Sequence, residues 1–125
     1  MSEIRVNFYD DGCHRLEEMT GKNGWYIMRC AENVYLRNGE SKRIKLNFSM
    51  ELPKNHECHM YANEHLHERG MMFVSNPRIF RSNHNNLEPW EITLFCFNEH
   101  GAMLHKDEII GEFRIMEHRE WKVKG

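Results

Sequence analysis

Apolar residues at every second position are the feature that most constrains the fold of this chain. Ile44, Leu46, Phe48 and Met50 alternate with polar residues, which is typical of a strand with one buried face. Residues 92–97 are apolar on both faces and predict a central strand, and residues 109–116 predict a third strong strand. No stretch of the sequence keeps an apolar stripe of helical period over three turns. The sequence therefore predicts an all-β protein.

Weaker alternating runs, separated by turn residues, extend this prediction along the chain. They predict strands at 4–8, 24–29, 33–36, 58–62, 71–74 and 78–81. Asn38-Gly39 carries the signature of a tight turn, and Gly111 predicts a close approach of two backbones. Helix is expected only in short pieces, at 13–19 or 63–69. Short strands with frequent turns predict a sandwich, a barrel or a jelly roll.

Composition and charge narrow the class of protein. A length of 125 residues with 40% hydrophobic and 29% charged residues fits one globular domain, 1–125. The formal net charge of -2 argues against general binding to nucleic acid or to an anionic membrane surface, because either would need a basic excess. The N-terminal residues are too polar for a signal peptide, and no apolar run is long enough to cross a bilayer.

The cysteines indicate the compartment. Four are present, widely spaced and without a CxxC pair: Cys13, Cys30, Cys58 and Cys96. Without an export signal we expect reduced thiols, and therefore an intracellular protein of the cytoplasm or nucleus. Cys13-His14 and Cys58-His59 do not form nucleophilic dyads, because adjacent residues on a strand point to opposite faces.

The order of three short marks resembles a known family. Leu52-Pro53 ends a strand, Phe97-Asn98 ends the central strand, and Lys106-Asp107-Glu108-Ile109 precedes a strand rich in small residues. Over residues 24–117 the chain resembles the trimeric dUTPases, and it looks closest to the dUTPase-derived proteins of adenovirus early region four. The resemblance implies a jelly-roll (β-clip) domain that assembles as a homotrimer, with 118–125 as a C-terminal tail.

The residues that align with the catalytic motifs of that family differ from them. Tyr26 replaces the acidic residue of the first motif. Asn63, Glu64 and His65 replace the phosphate-binding residues of the second, so that a carboxylate lies where phosphate oxygens should bind. Arg81 occupies the position of the Asp that activates water, and a guanidinium cannot act as a general base at neutral pH. The tail also lacks the glycine-rich arm of the enzymes.

These differences predict a catalytically inactive, dUTPase-like viral adaptor, not an enzyme, that binds host proteins, modulates host signalling and needs no cofactor. Trp121, Arg81 and His84 are its candidate partner-binding residues, because they lie in the tail or in a polar, turn-rich loop. The chain ends Val123-Lys124-Gly125, which does not match a C-terminal motif for PDZ domains. An alternative interpretation is a divergent dUTPase or nucleotide-binding protein.

A second alternative is a zinc-binding structural protein. Soft ligands cluster between 56 and 67, and His56, Cys58, His65 and His67 are the candidates. On strands, His56 and Cys58 would share one face and so would His65 and His67, which would give the nitrogen and sulfur donors that zinc favours. The spacing of these residues matches no established zinc motif, so we expect no metal site.

Overall fold

The computed structural model describes residues 3–9 and 16–125, and in this part of the chain it is almost entirely β-structure. The strands are β1 (Arg5–Phe8), β2 (Glu17–Glu18), β3 (Trp25–Arg29), β4 (Val34–Leu36), β5 (Ser41–Lys45), β6 (Phe48–Glu51), β7 (His56–Ala62), β8 (Met71–Phe73), β9 (Arg78–Arg81), β10 (Glu91–Cys96), β11 (Ala102–Leu104) and β12 (Ile109–Glu117). One short helix, α1 (Glu64–Glu68), follows β7. The all-β prediction is confirmed.

The strands form antiparallel sheets around one core. The largest sheet has the order β2-β3-β12-β7-β9, and a three-stranded sheet has the order β5-β10-β8. Two strand pairs, β1-β6 and β11-β4, complete the fold. The order is far from sequential, so most sheet neighbours are distant in the chain and their pairing comes from the tertiary fold.

The strongest predicted strand is in fact two strands. β5 ends at Lys45 and β6 begins at Phe48, and the two belong to different sheets. Ile44, Leu46 and Phe48 are nevertheless all buried, and the Leu46 amide donates to the Trp90 carbonyl oxygen at 2.7 Å. Alternation therefore reported correctly which residues face the core, but it carried no information on which strand each half would pair with.

The central strand and one helix are confirmed. β10 pairs with β5 on one side and with β8 on the other. The helix expected near 63–69 is α1, and the Asn63 side chain caps it by accepting from the His65 amide at 2.8 Å. Of the other expected helix, 13–19, residues 13–15 lie outside the described part, and its described residues include strand β2, so helix is wrong there.

Two glycine predictions are confirmed. Gly39 has φ +82° in the turn after β4, where the Glu40 amide donates to the Arg37 carbonyl oxygen at 3.0 Å. At Gly111 an added Cβ would lie 2.3 Å from the Tyr61 carbonyl oxygen, so only glycine lets β12 approach β7 so closely. The register of β12 also shifts between Ile109 and Gly111.

The C-terminal residues of the described structure lie outside the regular secondary structure. Residues 118–125 contain neither helix nor strand and are exposed, although the His118 amide donates to the Asn55 carbonyl oxygen at 2.6 Å. Among the described residues, no helix has the length and apolarity that crossing a membrane requires.

Candidate active site around Glu57

A charged cluster lies on the outward face of the five-stranded sheet. Cys58 and Met60 of β7 point into the core and are fully buried, so Glu57 and His59 between and beside them point outward. Glu57 lies directly opposite Arg81 of β9 and opposite Met116 of β12. The sheet register therefore brings together side chains that are far apart in sequence.

Glu57 is surrounded by cationic or ionisable donors. Its side chain is only 12% exposed, and His59 Nε2 donates to Glu57 Oε1 at 2.8 Å. Arg81 Nη1 and His118 Nδ1 each lie 3.5 Å from Glu57 Oε2. The hydrogen bond from His59 lowers the pKa of the Glu57 carboxyl despite the opposing effect of burial, and the positive charges of His59, Arg81 and His118 lower it further. Glu57 is therefore ionised at neutral pH.

Two cavities meet at this carboxylate. The first, which we call the Glu57 cleft, has a volume of about 290 Å³ and is lined by residues that include Lys54, His56, Glu57, Arg81, Ser82 and His118. The second, the tail cavity, has a volume of about 590 Å³ and is lined by residues that include Glu57, Arg114, Met116, His118, Arg119 and Trp121. Glu57 and His118 line both, so one buried carboxylate faces two open spaces with basic walls.

Arg114 adds a further positive charge to this face. It lies opposite His59 of β7 and opposite Trp25 of β3, and its guanidinium lies 4.7 Å from the centre of the Trp25 ring. Arg114 Nε is buried and has no hydrogen-bond partner among the described residues. This donor is held in place by the stacking contact, not by a carboxylate.

An aromatic pocket lies on the other side of β9. Side chains alternate along a strand, so Arg78 and Phe80 point to the face opposite that of Ile79 and Arg81. Phe80 and Trp90 stack with ring centres 4.3 Å apart and planes 2° apart, and the Arg78 guanidinium lies 4.1 Å from the Phe80 ring centre. His84 meets the Phe80 ring edge-on at 4.9 Å. This aromatic pocket, lined by these four side chains and others including Arg43 and Glu91, has a volume of about 340 Å³.

His84 is held neutral in this environment. Desolvation against the neighbouring rings lowers the pKa of the His84 imidazole, and the positive charge of Arg78 lowers it further. Trp90 is 2% exposed and its Nε1 donates to the Asn85 carbonyl oxygen at 3.2 Å. The aromatic pocket is thus built on a buried aromatic stack, in contrast to the charged Glu57 cleft.

The structure places the predicted nucleotide-site residues in several different locations. Tyr26 packs on the core side of the five-stranded sheet, with its ring centre 5.4 Å from that of Phe113, whereas Arg81 is on the outward side. Asn63 caps α1, and Glu64 and His65 are exposed on that helix, after the far end of β7 from Glu57. Of these five positions, only Arg81 belongs to the Glu57 cleft.

The candidate partner-binding residues are also separate. Trp121 is 79% exposed and lines the tail cavity, Arg81 pairs with Glu57, and His84 lies in the aromatic pocket. Their role in binding a partner stays a prediction.

The candidate zinc ligands do not converge. His56 Nδ1 lies 2.9 Å from the Lys54 carbonyl oxygen, and Cys58 is buried in the core, which raises the pKa of its thiol. His65 and His67 are on α1, not on a strand, so the expected strand geometry is wrong for that pair; His65 lies 3.3 Å from Glu68, and His67 packs on Phe97. Across residues 3–9 and 16–125, no group of three or more His, Cys, Asp or Glu side chains is arranged to hold a metal ion.

The cysteines within the described residues are free thiols in the core: Cys30, Cys58 and Cys96. Burial raises the pKa of the Cys30 thiol, which donates to the Glu32 carbonyl oxygen at 2.9 Å. Cys13 and His14 lie outside the described residues.

Comparison with known proteins supports the family resemblance. No protein-family model matches the sequence. The chain is 24% identical over 116 residues, 91% of its length and 80% of the relative's, to the SPbeta prophage-derived deoxyuridine 5'-triphosphate nucleotidohydrolase YosS of Bacillus subtilis.

Solved structures establish the fold. A dUTPase of Staphylococcus bacteriophage 80alpha superposes with a TM-score of 0.82 at 12% identity, covering 100% of this chain and 96% of that one. The dUTPase of Streptococcus mutans superposes with a TM-score of 0.79 at 10% identity, covering 94% and 98%. The chain therefore has the single-domain dUTPase fold.

These comparisons correct the interpretation of the chain as an inactive adaptor. The curated relative is a nucleotidohydrolase and the solved structures are dUTPases. The prediction of a pseudoenzyme without catalytic activity is therefore wrong. The prediction compared each aligned position by itself, whereas in the fold Arg81 faces the ionised Glu57 on the neighbouring strand. The similarity to adenoviral proteins stays a prediction, because these comparisons concern proteins of a prophage, a phage and a bacterium.

Proposed function

We propose that this chain, which has the dUTPase fold, is a divergent dUTPase that hydrolyses dUTP to dUMP and pyrophosphate. The observation that carries the proposal is the double similarity: one relative matched over 91% of this chain is a dUTP nucleotidohydrolase, and the fold superposes on dUTPases over the whole chain. Either similarity alone would be weaker, since a fold hosts many functions.

The charge distribution of the Glu57 cleft supports a phosphate-bearing substrate. Lys54 and Arg81 line it with positive charge, and Arg114 and Arg119 line the adjoining tail cavity. Lys and Arg bind phosphate oxygens through charge-assisted hydrogen bonds. A nucleoside triphosphate is the substrate class that fits such walls, although the formal charge of the whole chain is slightly negative.

The assembly that we propose is a homotrimer inside the cell. Exposed apolar side chains on two sheets support an oligomer: Tyr35 and Met103 lie directly opposite each other on β4 and β11, and Met72 and Val74 are exposed at β8. Light scattering coupled to size-exclusion chromatography should give three times the mass of one chain. A monomer at micromolar concentration would contradict the trimer without affecting the proposed reaction.

The reaction is tested by incubating purified protein with dUTP and magnesium and separating dUTP, dUMP and pyrophosphate by chromatography. We expect conversion of dUTP in proportion to protein concentration, and much slower conversion of dCTP and dTTP as matched substrates. Calorimetry with dUTP and dUMP measures binding independently of turnover. No conversion of dUTP would contradict the hydrolase, and no heat with either nucleotide would also exclude nucleotide binding.

The expectation of host protein partners depended on the adaptor interpretation and stays a prediction. It concerns Trp121, Arg81 and His84, and of these Arg81 lines the Glu57 cleft on which the proposed reaction depends. A partner that bound through His84, which lines a different pocket, would be compatible with the proposed enzyme, whereas one that bound through Arg81 would compete with dUTP.

A further inference from the structure

We propose that Glu57 is the general base that activates water in the Glu57 cleft, with Arg81 holding the substrate phosphates beside it. The inference rests on the proposed function and names the residue that performs its chemical step. It arises from the sheet register, which places an acidic and a basic side chain opposite each other on β7 and β9.

A single carboxylate among the described residues lines the Glu57 cleft. Among the described residues that line it, Glu57 is the one acidic side chain, and the others are basic or neutral. A general base must reach the proton it removes, either directly or through one water. Glu57 lines the cleft itself, and its Oε2 lies 3.5 Å from Arg81 Nη1, far enough apart for both groups to remain available to a ligand.

The contacts of Glu57 hold its carboxylate in one orientation. His59 Nε2 donates to Oε1 at 2.8 Å, which leaves Oε2 directed toward Arg81 and His118. Its backbone is held between two neighbouring strands, because Glu57 pairs with Met116 of β12 and with Arg81 of β9. Pre-positioned groups on sheet strands are more precise than groups on loops.

The chemical step balances without a further reactant. Glu57 takes one proton from a water molecule while the water oxygen forms a bond to the α-phosphorus of the triphosphate. The bond from that phosphorus to its bridging oxygen breaks, and the leaving pyrophosphate retains the electron pair. The protonated Glu57 then returns its proton to solvent. Arg81 and Lys54 stabilise the charge on the phosphate oxygens during this displacement.

Substrate binding would adjust the basicity of Glu57. In the free protein His59, Arg81 and His118 all face the carboxylate and lower its pKa, which makes it ionised but weakly basic. Phosphate oxygens bound by Arg81 would compete with Glu57 for the guanidinium and add negative charge nearby. Both effects raise the pKa of Glu57 toward the range where a carboxylate removes protons more effectively.

The test compares Glu57→Gln with Glu51→Gln. Glu51 is an exposed carboxylate on β6 that pairs with Arg5 of β1, and its change to Gln is also isosteric. Loss of a general base lowers kcat by roughly 100- to 10,000-fold, so we expect Glu57→Gln to lose at least about 100-fold in kcat with KM nearly unchanged. Glu51→Gln should retain wild-type kcat. Thermal unfolding of both variants confirms that the folded state is compared.

Glu57→Asp keeps the carboxylate but withdraws it by one methylene, and it serves if Glu57→Gln does not fold. We expect it to keep measurable turnover, reduced by roughly tenfold or more. Its kcat should still fall at acidic pH, because the base that remains is a carboxylate. Wild-type turnover combined with a Glu57→Gln kcat within about fivefold of wild type would overturn the assignment of the base, as would an unchanged kcat in Glu57→Asp. Absence of wild-type turnover would instead overturn the proposed function itself.

Discussion

The two faces of β9, a strand of four residues, have opposite environments, one charged and the other aromatic. On one side, Arg81 faces a carboxylate that is 12% exposed and is neutralised by surrounding donors. On the other side, Phe80 is fully buried against Trp90, with Arg78 stacked over its ring. A strand alternates its side chains between two faces, so a single short strand supports both a charged cleft and an aromatic stack.

The difference between the two sides separates stability from function. Burial of two aromatic rings removes a large apolar surface from water and stabilises the fold wherever it occurs. A buried carboxylate with basic neighbours contributes little net stability, because the cost of desolvation offsets much of the attraction. A charged group in such a position is therefore better explained by a role in binding or catalysis than by a contribution to the stability of the fold.

The largest expected effect is on the aromatic side. Phe80→Ala removes a fully buried ring from its stack with Trp90, and changes of this kind cost about 3–5 kcal/mol. Urea unfolding followed by tryptophan fluorescence measures the loss, and Phe80→Leu, which keeps most of the apolar volume, is the matched control with a smaller loss. An Ala variant within about 1 kcal/mol of wild type would show that the stack does not stabilise the fold.

The next effect compares the two arginines of β9. Arg81→Gln removes a cation from the Glu57 cleft, and we expect KM for dUTP to rise by roughly 10- to 100-fold, the equivalent of one hydrogen bond to a charged group. Arg78→Gln removes a cation of the same type from the other face and should leave KM within about twofold, with a stability loss of about 0.5–1 kcal/mol from the lost contact with the Phe80 ring. Steady-state kinetics on both variants gives the comparison. Equal KM changes would mean that the substrate does not distinguish the two faces.

Sequence patterns predicted the strands better than the site. Alternation identified the buried positions from Ile44 to Met50, and the expectation of a short helix at 63–69 agrees with α1. Glu57 was not singled out, although it precedes a buried Cys58 by one position and so had to face outward. Its importance follows from pairing with Arg81, which is 24 positions later in the sequence, and no local pattern encodes the register of two distant strands.

The same limit explains why comparison of motif positions misled the functional prediction. Comparison of aligned positions asks whether one residue is retained, and Arg81 cannot replace a carboxylate. A fold can instead supply the missing group from a neighbouring strand, as β7 does with Glu57. Tyr26, Glu64 and Arg81, which the sequence grouped as one degenerate site, lie on different surfaces of the protein.

The smallest expected effects are the pH dependences of the two sides, and they fall in separate windows. The folded-state pKa of Glu57 is lowered, so its contribution to the free energy of unfolding is complete above the unfolded pKa of a glutamate, about 4.3, and is lost as pH falls through the folded pKa. The pKa of His84 is also lowered, so its contribution is complete above about 6.5 and declines as pH falls below that value.

Urea unfolding between pH 7.5 and pH 3 therefore separates the two sides of β9. Glu57→Gln should flatten the pH dependence of the free energy of unfolding below about pH 4.3 and leave the decline that begins just below about pH 6.5 unchanged. His84→Gln should do the reverse. The His84 effect should be the smaller one, because that ring is exposed to solvent whereas Glu57 is nearly buried. If both variants altered the same pH range, the Glu57 cleft and the aromatic pocket would be coupled through β9, and the substitutions at Arg78 and Arg81 could no longer be treated as independent.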